Sequence, residues 1–105
     1  MYKVCFFCPK TETEVVKEAM FAAGGGRLGQ YQKCSWQTLG MGQFQAMDGA
    51  NPYIGKQGQL ETVEEFRVEM LVTEDDLDGV VSALKLAHPY EEPAWEVYKL
   101  HSVQK

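Results

Sequence analysis

The stretch that decides the fold is Thr62-Val63-Glu64-Glu65-Phe66-Arg67-Val68-Glu69-Met70-Leu71-Val72. Apolar side chains recur at every second position from Phe66 to Val72, and the charged residues Glu65, Arg67 and Glu69 alternate with them. Successive side chains of a strand point to opposite faces of its sheet. The alternation therefore predicts a strand with one face in the core and the other in contact with water.

A helix is predicted directly after this strand. Thr73 and Asp76 have the three-residue spacing of a capping box, in which the two side chains accept hydrogen bonds from backbone N–H groups that have no helical partner. Pro89 ends the helix, and residues 95–100 supply a short last strand. The predicted apolar stripe of the helix consists of Leu77, Val80, Val81, Leu84 and Ala87.

The first half of the chain has the same order of elements. Residues 2–8 are rich in side chains that favour strands, and this run stops at Pro9. Thr11 and Glu14 repeat the capping-box spacing, and Gly24 closes the helix that follows. The apolar stripe predicted for this helix consists of Val15, Val16, Ala19, Met20 and Ala23.

A hairpin and a long loop are predicted between the two halves. Apolar and polar residues alternate in 34–38 and again in 43–46, and Gly40-Met41-Gly42 between them is typical of a turn. Residues 48–60 contain glycines and a proline without apolar periodicity. A loop of this length in a small domain is more often functional or oligomer-forming than mere connection.

Two strand-helix-strand units predict an α+β protein with a ferredoxin-like βαββαβ sandwich. The extra hairpin and long loop elaborate this fold at about residues 39–60, within a single domain that spans residues 1–105. Both helices are expected on one face of a four-stranded antiparallel sheet. The other face carries Trp and Phe, and a bare apolar face of this kind predicts a covering partner, most simply a second copy of the chain.

The composition limits the classes of function. A chain of 105 residues with 45% hydrophobic residues forms one domain, which excludes a multi-domain enzyme. Its net charge of −5 makes nucleic acids and anionic membranes unfavourable partners. Three cysteines, an odd number, suit a reducing compartment, and no apolar run is long enough to span a membrane. The protein is therefore expected to be cytoplasmic.

The densest cluster of chemically active side chains is His88-Pro89-Tyr90-Glu91-Glu92-Pro93. Its imidazole and carboxylates could bind a divalent cation or act as acid and base. The alternative is that the helix dipole stabilises the histidine while water solvates the glutamates. The predicted metal ligands are His88, Glu91 and Glu92.

Two other motifs favour structural roles. Cys5 and Cys8 have dithiol spacing, but side chains three apart on a strand point to opposite faces, which predicts unreactive core thiols. The glycine-rich residues 24–29 follow a helix, whereas a phosphate-binding loop follows a strand, so they are interpreted as a cap and turn. Arg27 keeps an anion site open as an alternative.

Five motifs follow one another along the chain: Gly26-Arg27-Leu28-Gly29-Gln30-Tyr31, Cys34-Ser35, Gly49-Ala50-Asn51-Pro52-Tyr53-Ile54-Gly55, Glu64-Glu65-Phe66-Arg67-Val68-Glu69 and Ala87-His88-Pro89-Tyr90-Glu91-Glu92-Pro93-Ala94. Their order over residues 2–100 resembles the inserted domain of the Nif-three-like proteins, also called GTP-cyclohydrolase-type-2-like. The resemblance implies a PII/CutA-like fold, which forms trimers in CutA and PII-type signalling proteins. In full-length members a separate main domain holds a pair of metal ions. With two histidines in all, this chain cannot rebuild that site, so the resemblance argues against hydrolase activity.

We therefore expect a non-catalytic homotrimer that binds a small anionic ligand or regulates a partner protein. The alternatives are a divalent-metal-binding protein of the CutA type, a free-standing enzyme that uses the acid–base groups of residues 88–92, and a structural assembly domain. The predicted ligand-binding residues are Arg27, Tyr31, Asn51, Tyr53, His88 and Tyr90.

Overall fold

The computed structural model describes residues 1–102, three fewer than the predicted domain. The elements are β1 (Tyr2–Pro9), α1 (Thr13–Ala22), β2 (Trp36–Gln45), β3 (Leu60–Val72), α2 (Glu74–Ala87) and β4 (Trp95–Lys99). The strands form one sheet in the order β2-β3-β1-β4, and every neighbouring pair is antiparallel. This is the ferredoxin-like βαββαβ arrangement, and the predicted fold class is confirmed.

The core lies between the two helices and one face of the sheet. Alternate residues of β1 and β3 point into it, among them Phe6 and Met70, both essentially inaccessible to water. The helices contribute Val16, Met20, Val80 and Leu84. Because strand side chains alternate between faces, the remaining residues of β1 and β3 form an open face without a helix over it.

The first helix begins one residue later than the capping box at Thr11 predicts. Glu12 occupies the position before the helix, and the Thr11 hydroxyl donates to the Glu12 carboxylate instead of capping a backbone N–H. Thr13 Oγ1 donates to the Pro9 carbonyl at 2.9 Å, which ties the helix start to the end of β1. Val15 is 67% exposed, so its place in the predicted apolar stripe is wrong.

The second helix begins where the sequence predicts, but without the capping box. Thr73 is its N-cap residue, and no side chain there caps a backbone N–H. The Thr73 hydroxyl donates to Asp76 Oδ2 at 3.1 Å, so the two side chains bind each other. Val80 and Leu84 are buried, and Leu77 and Ala87 pack against the core as predicted.

The turn predicted at Gly40-Met41-Gly42 does not exist. β2 runs through these residues as one strand and pairs with β3 continuously, from Trp36 opposite Glu69 to Gln45 opposite Leu60. The extra hairpin is instead formed by the far ends of β2 and β3, joined by residues 46–59. A Cβ at Gly42 would collide with the Glu65 side chain, so this glycine makes room for a neighbouring carboxylate rather than for a turn.

The open face is not the bare apolar surface predicted from its Trp and Phe. Lys3 Nζ lies 3.0 Å from Glu69 Oε1, and the Arg67 guanidinium lies 5.9 Å from the centre of the Phe7 ring. Trp36 is 60% exposed at the β2 edge. The face is therefore a mixture of aromatic rings and ion pairs, because the positions between the core residues of β3 are charged.

Candidate functional site

A cavity of about 280 Å³ lies where the loop after β2 meets the turn after α2. This volume is near the lower end of the range for ligand pockets, roughly 300–1,000 Å³. Three carboxylates stand at its wall and rim: Glu65, Glu91 and Glu92. Its apolar wall includes Phe7, Phe44, Pro52, Tyr53, Ile54 and Tyr90.

Hydrogen bonds hold the loop against the turn. The Asn51 backbone N–H donates to Glu91 Oε1 at 3.3 Å. The Tyr53 hydroxyl donates to Glu12 Oε1 at 2.8 Å, at the start of α1. The hydroxyl of Thr11, and after it that of Tyr53, lowers the pKa of the Glu12 carboxyl. The loop is thus attached at two points that are far apart in sequence, and the cavity lies between them.

Tyr90 is the central side chain of the cavity. Its ring centre lies 6.0 Å from that of Phe44 and 6.4 Å from that of Tyr53, with the planes tilted by 60° and 54°. Its hydroxyl donates to Glu65 Oε2 at 3.2 Å. Burial, and then the charge of Glu65, raises the pKa of Tyr90 well above its usual range. Tyr90 therefore stays protonated. Its hydroxyl donates a hydrogen bond to Glu65, and its ring forms part of the cavity wall.

His88 lies beneath the cavity and fixes the turn. The Tyr90 N–H donates to His88 Nδ1 at 3.1 Å, so this nitrogen carries no proton, and Nε2–H donates to the Phe7 carbonyl at 2.6 Å. The side chain is buried, and burial lowers its pKa. A neutral imidazole with both nitrogens bonded acts as a brace between β1 and the turn after α2.

The structure does not bring His88, Glu91 and Glu92 together around a common point. His88 is buried with both nitrogens engaged, whereas Glu91 and Glu92 are exposed. Within residues 1–102, no group of three or more His, Cys, Asp or Glu side chains is placed to hold a metal ion.

The predicted ligand-binding residues separate into two regions. Tyr53 and Tyr90 line the cavity, and Asn51 closes its edge through its backbone. Arg27 lies instead in a groove of about 310 Å³ beside α1, and Tyr31, 74% exposed, belongs to the same turn away from the cavity. The structure therefore brings Asn51, Tyr53 and Tyr90 together at the cavity and places Arg27 and Tyr31 elsewhere.

Phe7, Phe44 and Glu65 are cavity residues that sequence reasoning missed. The alternation of apolar and polar residues in 43–46 predicts that Phe44 lies on a strand, but it does not indicate which side chains Phe44 contacts. Glu65 enters the site because it lies opposite Gly40 and close to Gly42. Strand register, which a single sequence does not specify, brings these side chains together.

The cysteines lie outside the cavity. Cys5 and Cys8 are fully buried on opposite faces of β1, as predicted. Burial raises the pKa of the Cys8 thiol to about 11, which keeps it protonated and poorly nucleophilic.

Over residues 1–102, the helices are too short or too polar to cross a bilayer.

The fold and the cavity define a small CutA-like α+β domain with a pocket at the base of its long hairpin. The solved structure of the divalent cation tolerance protein CutA from Archaeoglobus fulgidus has a TM-score of 0.67 to this chain at 16% identity, over 100% of this chain and 89% of the other. This likeness shows the fold.

Other proteins resemble the chain in sequence as well as in fold. The GTP cyclohydrolase 1 type 2 homologue of Halalkalibacterium halodurans is 47% identical over 100 residues, covering 95% of this chain and 27% of that protein. A Bacillus cereus protein related to NIF3 has a TM-score of 0.81 and 39% identity, over 96% of this chain and 26% of that one. No family model matches the chain. The chain is homologous to one segment of the NIF3-related GTP cyclohydrolase 1 type 2 homologues and spans about a quarter of their length, so the predicted resemblance is confirmed.

Proposed function

We propose that this chain is a non-catalytic module that binds a small molecule and acts as a homotrimer in the cytoplasm. The observation that carries the proposal is the cavity between residues 46–54 and 88–94. Its lining comes from five parts of the chain: β1, β2, the loop after β2, β3 and the turn after α2. The buried side chain of His88 and the hydrogen-bonded loop give the cavity a fixed shape. A preformed cavity favours binding because little conformational entropy is lost when a ligand enters.

The groups in the cavity favour binding over catalysis. Tyr90 is protonated and bonded to Glu65, and His88 is held neutral beneath the wall. Cys8, the nearest thiol in β1, belongs to the core. Covalent catalysis usually requires a nucleophile next to a free base. The described residues that line the cavity provide no such pair.

A titration of ¹⁵N-labelled protein with a mixture of small aromatic compounds tests the binding function. We expect amide shifts that cluster on the cavity and a loss of binding in Ala50→Leu, which fills part of the cavity. Ala22→Leu, at an exposed position on α1, is the matched control and should bind normally. Shifts centred on the groove beside Arg27, or unchanged binding by Ala50→Leu, would contradict the proposal.

Divalent-metal binding is the second candidate. Its support is the fold shared with proteins named for divalent cation tolerance and the carboxylates of Glu91 and Glu92 at the cavity rim. The bonded state of His88 weakens it. Elemental analysis of untreated protein decides between the two, and we expect substoichiometric metal and the same melting temperature with and without a chelator. A stoichiometric ion lost in Glu91→Gln would favour the metal-binding function instead.

A further inference from the structure

The cavity is acidic as well as aromatic. Glu65, Glu91 and Glu92 contribute three carboxylates to its lining, and among the described residues that line it there is no Lys, Arg or His. The nearest described cation to this lining on β3 is Arg67, whose guanidinium lies 5.9 Å from the centre of the Phe7 ring and whose Nε lies 3.5 Å from Glu69 Oε2. An anion in the cavity would face three carboxylates, while Arg67 is already paired with Glu69, which disfavours the anionic ligand expected from the sequence.

Three of the aromatic rings that line the cavity, those of Phe44, Tyr53 and Tyr90, are called the cage. Phe44 and Tyr53 are each tilted by more than 50° from the plane of Tyr90, at centre-to-centre distances of 6.0 and 6.4 Å. At these distances each of the two rings packs against Tyr90 in a tilted pair, and all three rings line the cavity. The faces of aromatic rings are electronegative and attract ammonium groups, and cages of this kind recognise quaternary ammonium ligands.

The Tyr90 hydroxyl gives the cage a fixed polarity. It donates to Glu65 Oε2, so this carboxylate is held at the cavity wall and the hydroxyl proton is already engaged. Gly42 leaves the space that this carboxylate occupies. Glu91 is held at the rim by the Asn51 N–H. The negative groups are thus positioned before any ligand arrives.

We infer that the cavity binds a small organic cation, a protonated amine or quaternary ammonium carried on an apolar body. This inference rests on the proposed function and specifies its ligand. The apolar body fills the space beside Pro52 and Ile54, and the cationic group lies against the rings of Phe44 and Tyr90 within reach of the rim carboxylates. The volume of about 280 Å³ restricts the ligand to a compact molecule.

Three probes of nearly equal shape test the inference: 2-phenylethylamine as the cation, 2-phenylethanol as the neutral compound and phenylacetate as the anion. Amide shifts of ¹⁵N-labelled protein are recorded during each titration. We expect the cation to bind about tenfold more tightly than the alcohol, with shifts on residues 44, 53 and 90, and no binding of the anion. Added salt should weaken binding of the cation and leave that of the alcohol unchanged.

Two variants separate the charge from the rings. Glu92→Gln should weaken binding of the cation about threefold and leave that of the alcohol unchanged. Phe44→Leu keeps an apolar wall and should reduce the preference for the cation over the alcohol by about threefold. Asp78→Asn is the matched control: it removes one negative charge from an exposed position of α2 outside the cavity lining. Its affinities should equal those of the unaltered protein.

The outcomes separate this inference from the proposed function. If the alcohol or the anion binds in the cavity as tightly as the cation, the inference fails while the binding function stands. If none of the probes shifts the cavity amides, and the mixture of aromatic compounds also fails to do so, both fail. If the cavity amides shift with protein concentration alone, a second copy fills the cavity and the inference is overturned.

Discussion

At the scale of single residues, His88 couples the cavity to pH. Its pKa is lowered below the ordinary value of 6.5 by burial, so the unfolded chain binds its proton at a higher pH than the folded one. The stability contributed by neutral His88 is therefore complete above pH 6.5 and is lost as the pH falls below that value. The Tyr90 N–H to Nδ1 bond is the first to be lost on protonation, because both nitrogens then carry protons.

We expect His88→Gln to be less stable than the unaltered protein by about 1–2 kcal/mol near neutral pH, because two buried hydrogen bonds are changed. This difference should shrink as the pH is lowered from 7.5 to 5. Urea unfolding at each pH measures it. His101→Gln, which changes the other histidine at an exposed position, should follow the unaltered protein throughout. A pH-independent difference between His88→Gln and the unaltered protein would show that His88 does not titrate in this range.

Gly42 and Gly40 provide a matched pair on one strand. A Cβ at residue 42 meets the Glu65 side chain, whereas at residue 40 it meets open space. Gly40→Ala should be neutral or stabilise the protein by roughly 0.5 kcal/mol, since it restricts the unfolded chain. Gly42→Ala should be less stable than Gly40→Ala by about 1 kcal/mol, because Glu65 moves away from the Tyr90 hydroxyl. Thermal unfolding of the two variants compares them, and equal stabilities would contradict this role of Gly42.

At the scale of elements, hydrogen bonds of Asn51 and Tyr53 attach the loop after β2 to the rest of the fold. Tyr53 joins it to Glu12 through one hydroxyl bond. Tyr53→Phe should increase amide hydrogen exchange in residues 46–54 several-fold while the melting temperature changes little, since the core does not use this bond. Tyr31→Phe alters an exposed tyrosine elsewhere and should leave exchange in this loop unchanged. Equal exchange in both variants would mean that other contacts hold the loop.

The elements also show what the sequence could predict. β3 and α2 have strict periodicity because their faces meet the core and water in turn, so their positions followed from residues 62–87. Gly40 and Gly42 led to the prediction of a turn because glycine is common in turns, and only the opposite strand shows that Gly42 accommodates Glu65. The cavity joins Phe7, Glu65 and Tyr90, and their proximity depends on strand register and loop docking. The turn at 88–92 was identified from its composition, although its histidine proved to be a brace.

At the scale of the whole molecule, the open face and the two outer strands are the surfaces available for self-association. β2 and β4 are the outer strands of the sheet, and their free backbone groups can pair with another chain. Trp36 lies at the β2 edge beside the ion pairs of Lys3 and Glu69. A second copy placed there would cover an exposed indole and add its own charges to those pairs. These features support the proposed trimer. The contact between copies would then be aromatic and polar, and not the bare apolar face predicted from the sequence.

Sedimentation equilibrium tests this assembly, and we expect a mass three times the 11.8 kDa of the chain. Trp36→Glu should shift the protein towards monomers, because it places a carboxylate beside Glu69 and removes the exposed ring from the contact. Leu86→Glu, at a position of α2 that is 88% exposed, is the matched control and should remain trimeric. A monomer at every micromolar concentration would contradict the trimer. An oligomer that survives Trp36→Glu but is lost in Leu86→Glu would place the contact on the helical side of the domain.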